Sequence, residues 1–370
     1  MTFFNASHMP DILDLTQRGR LGAATALIQR SLGSNLGQPQ AEGGGARPHH
    51  DGQEARLPAP AAFADAPSRP AAEGARPTPS PAASGSFTRH AFRGARGSLD
   101  YLLYAPANAT KAMPLVMMLH GCTQDAEDFA RGTRMNQLAE EFGFLVAYPE
   151  QTRKANAQKC WNWFRPGDQG KGSGEPALIA GIAGEIANRH DVDRGRIYVA
   201  GLSAGGAAAA IMAQAYPDVF AAAGIHSGLA CGSAADLPGA LSAMKGKGRR
   251  RSVDGQTYVP LITFHGSRDT TVDPANSEQI HGSWRERHTA ASLAETVETG
   301  VSPGGRQYRQ AVLRGPSGKA MAESWLVMGA GHAWSGGSPS GSYTDASGPD
   351  ASRAMIRFFL QHRLGGPATG

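Results

Sequence analysis

Tyr198-Val199-Ala200-Gly201-Leu202-Ser203-Ala204-Gly205-Gly206, followed at once by an alanine-rich run to Ala215, decides the fold of this chain. The approach Arg196-Ile197-Tyr198-Val199 is β-branched and aromatic, and reads as a short buried strand. Ala207 to Ala215 reads as a helix that meets no proline before Pro217. Between them lies Gly-x-Ser-x-Gly, at the strand-to-helix turn where that motif has a mechanism. The turn is so tight that only glycine fits at Gly201 and Gly205, and it lifts the Ser203 hydroxyl clear of the sheet. The helix that starts there aims its free N–H groups at any negative charge forming beside Ser203. Ser203 is therefore read as a nucleophile. The competing reading is a packing turn in a chain with 48 glycines.

Outward from this turn, strand-like and helix-like segments alternate. Leu99 to Tyr104 reads as an edge strand, and Leu115-Val116-Met117-Met118-Leu119 as a strand covered on both faces. A helix is expected from about Ala126 to Phe142, a strand over Phe144 to Tyr148, and a helix over Glu175 to Arg189. Beyond the elbow, Val219 to Ile225 and Val259 to Phe264 read as buried strands. Tyr308 to Leu313 and Glu323 to Met328 form a last pair, and Ala351 to Leu360 a closing helix. This alternation means a mostly parallel, doubly covered sheet. With Gly-x-Ser-x-Gly at its centre, the expected architecture is the α/β-hydrolase fold, over residues 87–370.

Two segments precede it. Residues 1–36 read as a short helical hairpin with Ile12, Leu13, Leu15, Leu21, Leu27, Ile28 and Leu32 at three- and four-residue steps. It is expected to be an appendage that docks on the main domain or associates with a second copy. Residues 37–86 are rich in Pro, Ala and Gly with almost no large apolar residue. They cannot bury enough surface to offset their ordering entropy, and read as a disordered linker.

Composition narrows the class. The net charge is +5, much of it local to Lys245-Gly246-Lys247-Gly248-Arg249-Arg250-Arg251, which reads as a solvated loop rather than a site for an anionic surface, and no nucleic-acid partner is expected. No apolar run is long enough to span a bilayer. The first thirty residues do not read as a signal peptide, which leaves the compartment open, with a cytoplasmic location as one of two alternatives. Three cysteines without a Cys-x-x-Cys pair argue against structural zinc, and no metal is expected.

A serine hydroxyl needs a general base, and the base needs a group that orients it. In this fold the order is serine, acid, histidine, each on a loop leaving the C-terminal edge of a strand. Of the histidines after Ser203, His226 and His265 precede any suitable acid, and His281 and His288 fall within a predicted helix. His332, in Gly331-His332-Ala333-Trp334, follows the last core strand and is chosen. Two acids compete. Asp273 precedes Pro274 and has an ordinary task as a helix cap, whereas Asp269 lies nearer the strand end with no such explanation, so Asp269 is chosen. The oxyanion donors are expected to be the N–H of Ala204 and that of Cys122, with the Gln124 amide assisting.

His120-Gly121-Cys122-Thr123-Gln124, Cys160-Trp161-Asn162-Trp163-Phe164, Gly201 to Gly206, His226-Ser227-Gly228, His265 to Asp269 and Gly331-His332-Ala333-Trp334 occur in that order. Together they resemble the polyhydroxybutyrate-depolymerase family of esterases, over about residues 87 to 365. The resemblance implies a cofactor-independent Ser–His–Asp carboxylic-ester hydrolase acting on hydroxyalkanoate esters or polyesters. Related branches include feruloyl and acetylxylan esterases, and many members are extracellular. A catalytically silent binding protein on the same fold is the reading from a different class. Trp161, Trp163 and Trp334 are weighed equally as walls of a substrate groove and as ordinary core aromatics. In such a sheet the loops carrying Cys122 and Cys160 leave neighbouring strands, so the two cysteines either pair, leaving Cys231 aside, or stay reduced and buried.

Overall fold

Every residue of Met113–Leu119, the third strand (β3), is buried. Leu115, Met117 and Leu119 enter one apolar cluster while Val116 and Met118 enter the other, so the period-two alternation of a strand fills two layers at once. Val192–Leu202 (β5) divides its side chains in the same way, with Ile197 and Val199 on one face and Tyr198, Ala200 and Leu202 on the other. The computed structural model describes residues 85–248, 259–288 and 293–365. The hairpin expected over residues 1–36, the linker expected over 37–86 up to residue 84, and Arg249, Arg250 and Arg251 of the basic run lie outside the described residues; Ser86, the linker's expected last residue, already belongs to the first strand.

Ten strands form one sheet: β1 (Ser86–Gly94), β2 (Gly97–Ala105), β3, β4 (Leu145–Glu150), β5, β6 (Ala222–His226), β7 (Leu261–Gly266), β8 (Ala294–Val301), β9 (Gln307–Arg314) and β10 (Ala320–Val327). Their spatial order is β1-β2-β4-β3-β5-β6-β7-β10-β9-β8. The six central strands from β4 to β10 run parallel, with antiparallel pairs at both margins. Helices α1 (Ala126–Thr133), α2 (Met135–Phe142), α3 (Gly174–Arg189), α4 (Ala204–Ala215), α5 (Leu237–Ser242), α6 (Ala275–Arg287) and α7 (Ala351–Phe359) complete the layers. The strand order reverses at β3, between β4 and β5, and ligands bind at such a switch point in open α/β sheets.

Three expectations need correction. Leu99 to Tyr104 belongs to β2, which is not an edge strand: β1 pairs with it from Ser86↔Ala105 to Gly94↔Gly97. β1 and, at the other margin, β8 are exposed along almost their whole length, so neither carries the apolar alternation that marks a strand in sequence. The single helix expected over Ala126 to Phe142 is two helices. Arg134 adopts φ 55°, returns its N–H to Ala130 O to close α1, and sends its guanidinium to Gly336 O at 2.6 Å. Last, α6 starts one residue later than Asp273-Pro274 suggests, with Pro274 as its cap residue. Asp273 still serves the first turn, its Oδ1 accepting from Ala275 N at 2.9 Å.

Candidate active site

The elbow is as tight as the motif demands. A Cβ on Gly205 would stand 2.0 Å from Leu119 O, and one on Gly201 would stand 2.3 Å from Gly205 O. Only glycine allows β5, α4 and the end of β3 to approach this closely. Ser203 between them takes φ 58° and ψ −119°, a strained conformation for a residue with a side chain. Its N–H donates to His226 O at 2.9 Å, and its carbonyl accepts from Ala207 N at 2.9 Å as α4 begins. Ala204, the first residue of α4, therefore has its N–H ahead of the first intrahelical bond.

The loop after β3 carries the second expected donor. Gly121 N donates to Gln124 Oε1 at 2.9 Å and Thr123 N to Gln158 O at 2.6 Å, so the N–H groups on either side of Cys122 are engaged. The Gln124 amide is engaged by acceptors within the protein, which corrects the expectation of an assisting donor. Gln124 is buried, and its Nε2 donates to Asp128 Oδ2 at 2.9 Å and to Ser342 O and Oγ at 3.2 Å. Its part is to close the turn. A disulfide joins Cys122 to Cys160, which fastens this loop to the segment after β4.

Asp269 and His332 arrive on loops that leave the C-terminal ends of β7 and β10, neighbours in the sheet. Backbone bonds lace these loops together: Ser267 N to Val327 O and Arg268 N to Ala330 O, both 2.9 Å, with Gly329 N reaching Ser267 Oγ at 2.9 Å. Asp269 Oδ1 accepts from Thr271 N and Val272 N at 2.9 Å, and Oδ2 accepts from His332 Nδ1 at 2.7 Å. Burial pushes the Asp269 carboxyl up, but hydrogen bonds from His265 and His332 outweigh it and hold the group well below the usual carboxylate range. Asp269 is thus a fixed anion facing an imidazole. Asp273 is engaged at its helix start and makes no comparable bond.

Two further histidines, set aside as catalytic, hold the frame. His265 Nε2 donates to Val272 O at 2.8 Å and lies 3.5 Å from Asp269 Oδ2, steadying the acid turn. His226 bridges the elbow and the histidine loop: its carbonyl accepts from Ser203 N, and its Nε2 accepts from Ser335 N at 2.9 Å. Burial holds His226 well below its ordinary titration range, so its ring stays neutral and able to accept. Its place at the end of β6 was the available signal, though the support it gives depends on a residue 109 positions away.

The tryptophans answer to the core reading. Trp161 and Trp334 are fully buried, with Nε1 donating to His120 O at 3.1 Å and to Ser352 Oγ at 3.0 Å respectively. Trp334 also stacks on His226. Trp163 is buried and lines a small pocket with Asp168, Glu175 and Met212. Trp161 and Trp334 are therefore corrected from groove walls to core: a buried indole needs a partner for its N–H, and both find one inside.

A family model described as Esterase PHB depolymerase matches residues 99–289, just over half of the chain. The chain belongs to this family. It is 32% identical over 248 residues to poly(3-hydroxyalkanoate) depolymerase C of Paucimonas lemoignei, covering 64% of this chain and 58% of that protein. It is 28% identical over 231 residues to feruloyl esterase B of Thermothelomyces thermophilus, covering 57% of this chain and 77% of that one. The chain thus spans somewhat more than half the length of the depolymerase it matches. Among solved structures, acetyl xylan esterase from Aspergillus awamori superposes with a TM-score of 0.58 at 18% identity, over 74% of this chain and 99% of that one. That likeness speaks for the α/β-hydrolase fold alone. No described helix is long and apolar enough to cross a membrane.

Proposed function

We propose that the chain is a serine carboxylic-ester hydrolase acting on short-chain hydroxyalkanoate esters or polyesters. Ser203 Oγ attacks the ester carbonyl carbon while His332 Nε2 takes its proton. Asp269 holds Nδ1–H and so keeps Nε2 as the base. The tetrahedral oxyanion is held by the N–H groups of Cys122 and Ala204. Collapse expels the alcohol, which leaves with the proton from His332, and a water activated by the same imidazole then releases the acid.

The observation that carries this reading is the 2.7 Å bond from His332 Nδ1 to a buried Asp269, on loops laced to each other and bridged through His226 to a strained Ser203. Serine, acid and histidine follow one another along the chain in the order this fold uses. The depolymerase relative favours hydroxyalkanoate substrates; the feruloyl esterase relative supports a second reading, removal of feruloyl or acetyl groups from polysaccharide, with the same three residues. Hydrolysis of hydroxybutyrate oligomers, p-nitrophenyl esters and feruloyl esters by purified protein separates the two. Activity confined to feruloyl or acetyl esters would overturn the hydroxyalkanoate assignment. A chain that hydrolyses none of them, and whose Ser203 resists a fluorophosphonate, would be a binding protein.

A further inference from the structure

We infer that Glu175 is the positioning residue of the oxyanion loop: its carboxylate holds the two segments that grip His120 and Cys122 from outside the loop. This rests on the proposed role of the Cys122 N–H. Glu175 sits in the first turn of α3, where a glutamate commonly serves its own helix. Here its carboxylate turns away, and its three donors all come from outside α3. Gln151 Nε2 and Asn162 Nδ2 each donate to Oε1 at 2.5 Å, and Asn162 N donates to Oε2 at 2.7 Å. The Gln151 amide also donates to Cys160 O at 3.3 Å. The backbone N–H of Glu175, given to Asp168 Oδ1 at 2.8 Å, fixes the start of the helix.

The residues so held are the ones that grip the oxyanion loop. Gln151 N donates to His120 Nε2 at 3.1 Å, Trp161 Nε1 donates to His120 O at 3.1 Å, and Cys160 is bonded to Cys122. His120 in turn gives Nδ1–H to Gly121 O at 2.7 Å. A carboxylate is the group this position requires, because both oxygens face N–H donors. An amide in either orientation would set its NH₂ against one of them. Burial and the nearby Asp168 carboxylate push Glu175 up to about 7, and the fold keeps it there nonetheless. Glu175 touches no reacting atom; it acts through the loop.

The test is Glu175→Gln in the full chain, assayed on a soluble p-nitrophenyl ester and normalised to active sites by fluorophosphonate titration. The kcat is expected to fall about ten- to a hundredfold with KM changed less than about threefold, since a misplaced oxyanion donor acts on the transition state. Affinity for a trifluoromethyl ketone, whose adduct fills the oxyanion hole, should fall by the same factor as kcat/KM. Gln151→Met is the second variant. It removes the amide by which Glu175 holds Gln151, whose N–H grips His120, and with it the acceptor for Thr152 N, and should lower kcat several-fold at unchanged KM. Folded variants with wild-type kcat and ketone affinity would overturn the inference, as would a loss that vanishes on active-site normalisation. A wild-type chain that neither hydrolyses esters nor labels at Ser203 would overturn the proposed function instead, and with it this role for the loop.

Discussion

His332 and Asp269, 63 residues apart in sequence, are joined by a 2.7 Å hydrogen bond, while Asp273, four residues beyond Asp269, accepts from the Ala275 N–H where α6 begins. The difference lies in the loops. Ser267 and Arg268 bind the backbone of the His332 loop before the chain reaches Asp269, so the carboxylate arrives already aimed. Asp269→Asn would present an amide to the imidazole and favour the wrong tautomer, lowering kcat on the order of 10⁴-fold. Asp273→Asn keeps a capping oxygen and should cost at most about 1 kcal/mol of stability. Steady-state kinetics and thermal melts on both variants decide this, and reversed effects would reject Asp269 as the acid.

Ser203 is a partly exposed residue held at φ 58°. Removing the hydroxyl alone, by Ser203→Ala, should reduce kcat on the order of 10⁴–10⁶-fold at nearly unchanged stability. Ser203→Gly should be equally inactive yet more stable than Ser203→Ala by about 1 kcal/mol, because glycine adopts positive φ without strain. Equal melting temperatures for the two variants would mean that the elbow stores no strain at Ser203.

What could be read in the sequence was what is local or periodic. The elbow is spelled out by adjacent residues, and buried strands such as Leu115–Leu119 announce themselves as unbroken apolar runs. The marginal strands β1 and β8 bury neither face and leave no such pattern. The break at Arg134 is set by a carbonyl 202 residues away. Gln124 and the tryptophans were legible as important residue types, but not the direction they face, because that depends on partners from distant segments such as Ser342, His120 and Ser352. Glu175 gave no signal, since a glutamate in a first helical turn is ordinary and its three donors lie 13 and 24 residues upstream.

His281 on α6 is half-buried, with Nε2 against Thr263 Oγ1 at 2.9 Å, and desolvation lowers it from the ordinary 6.5 to about 4. A histidine depressed in the folded state contributes stability above its unfolded pKa, and that contribution is lost as pH falls toward the folded value. The window is therefore pH 6.5 down to about 4, with a loss of up to about 3 kcal/mol. Thermal melts from pH 7.5 to 4 should fall less steeply for His281→Gln than for the wild type. Parallel curves would show that His281 does not carry this acid sensitivity.

The bond between Cys122 and Cys160 closes a loop with a sequence separation of 38, and it ends on the loop that carries the proposed oxyanion donor. In the chain-entropy model, closing such a loop stabilises the folded state by roughly 3–4 kcal/mol through the unfolded ensemble. The same loop is held independently by Trp161 Nε1 on His120 O and by Gln151 N on His120 Nε2. Breaking the disulfide should therefore lower stability much more than it lowers turnover in the molecules that remain folded. The double variant Cys122→Ala and Cys160→Ala retains the Cys122 backbone N–H at its position, and replaces a covalent tie with two methyl groups. Its urea midpoint should drop, with m changed little, while kcat on a soluble ester stays within about threefold of wild type well below the transition. Reduction of the wild-type protein should reproduce that midpoint, and the double variant should not respond to reductant. A double variant as stable as the wild type would mean the bond is absent in solution. One with an unchanged midpoint relation but a kcat lowered a hundredfold would mean that the disulfide, rather than the two hydrogen bonds to His120, positions the oxyanion loop.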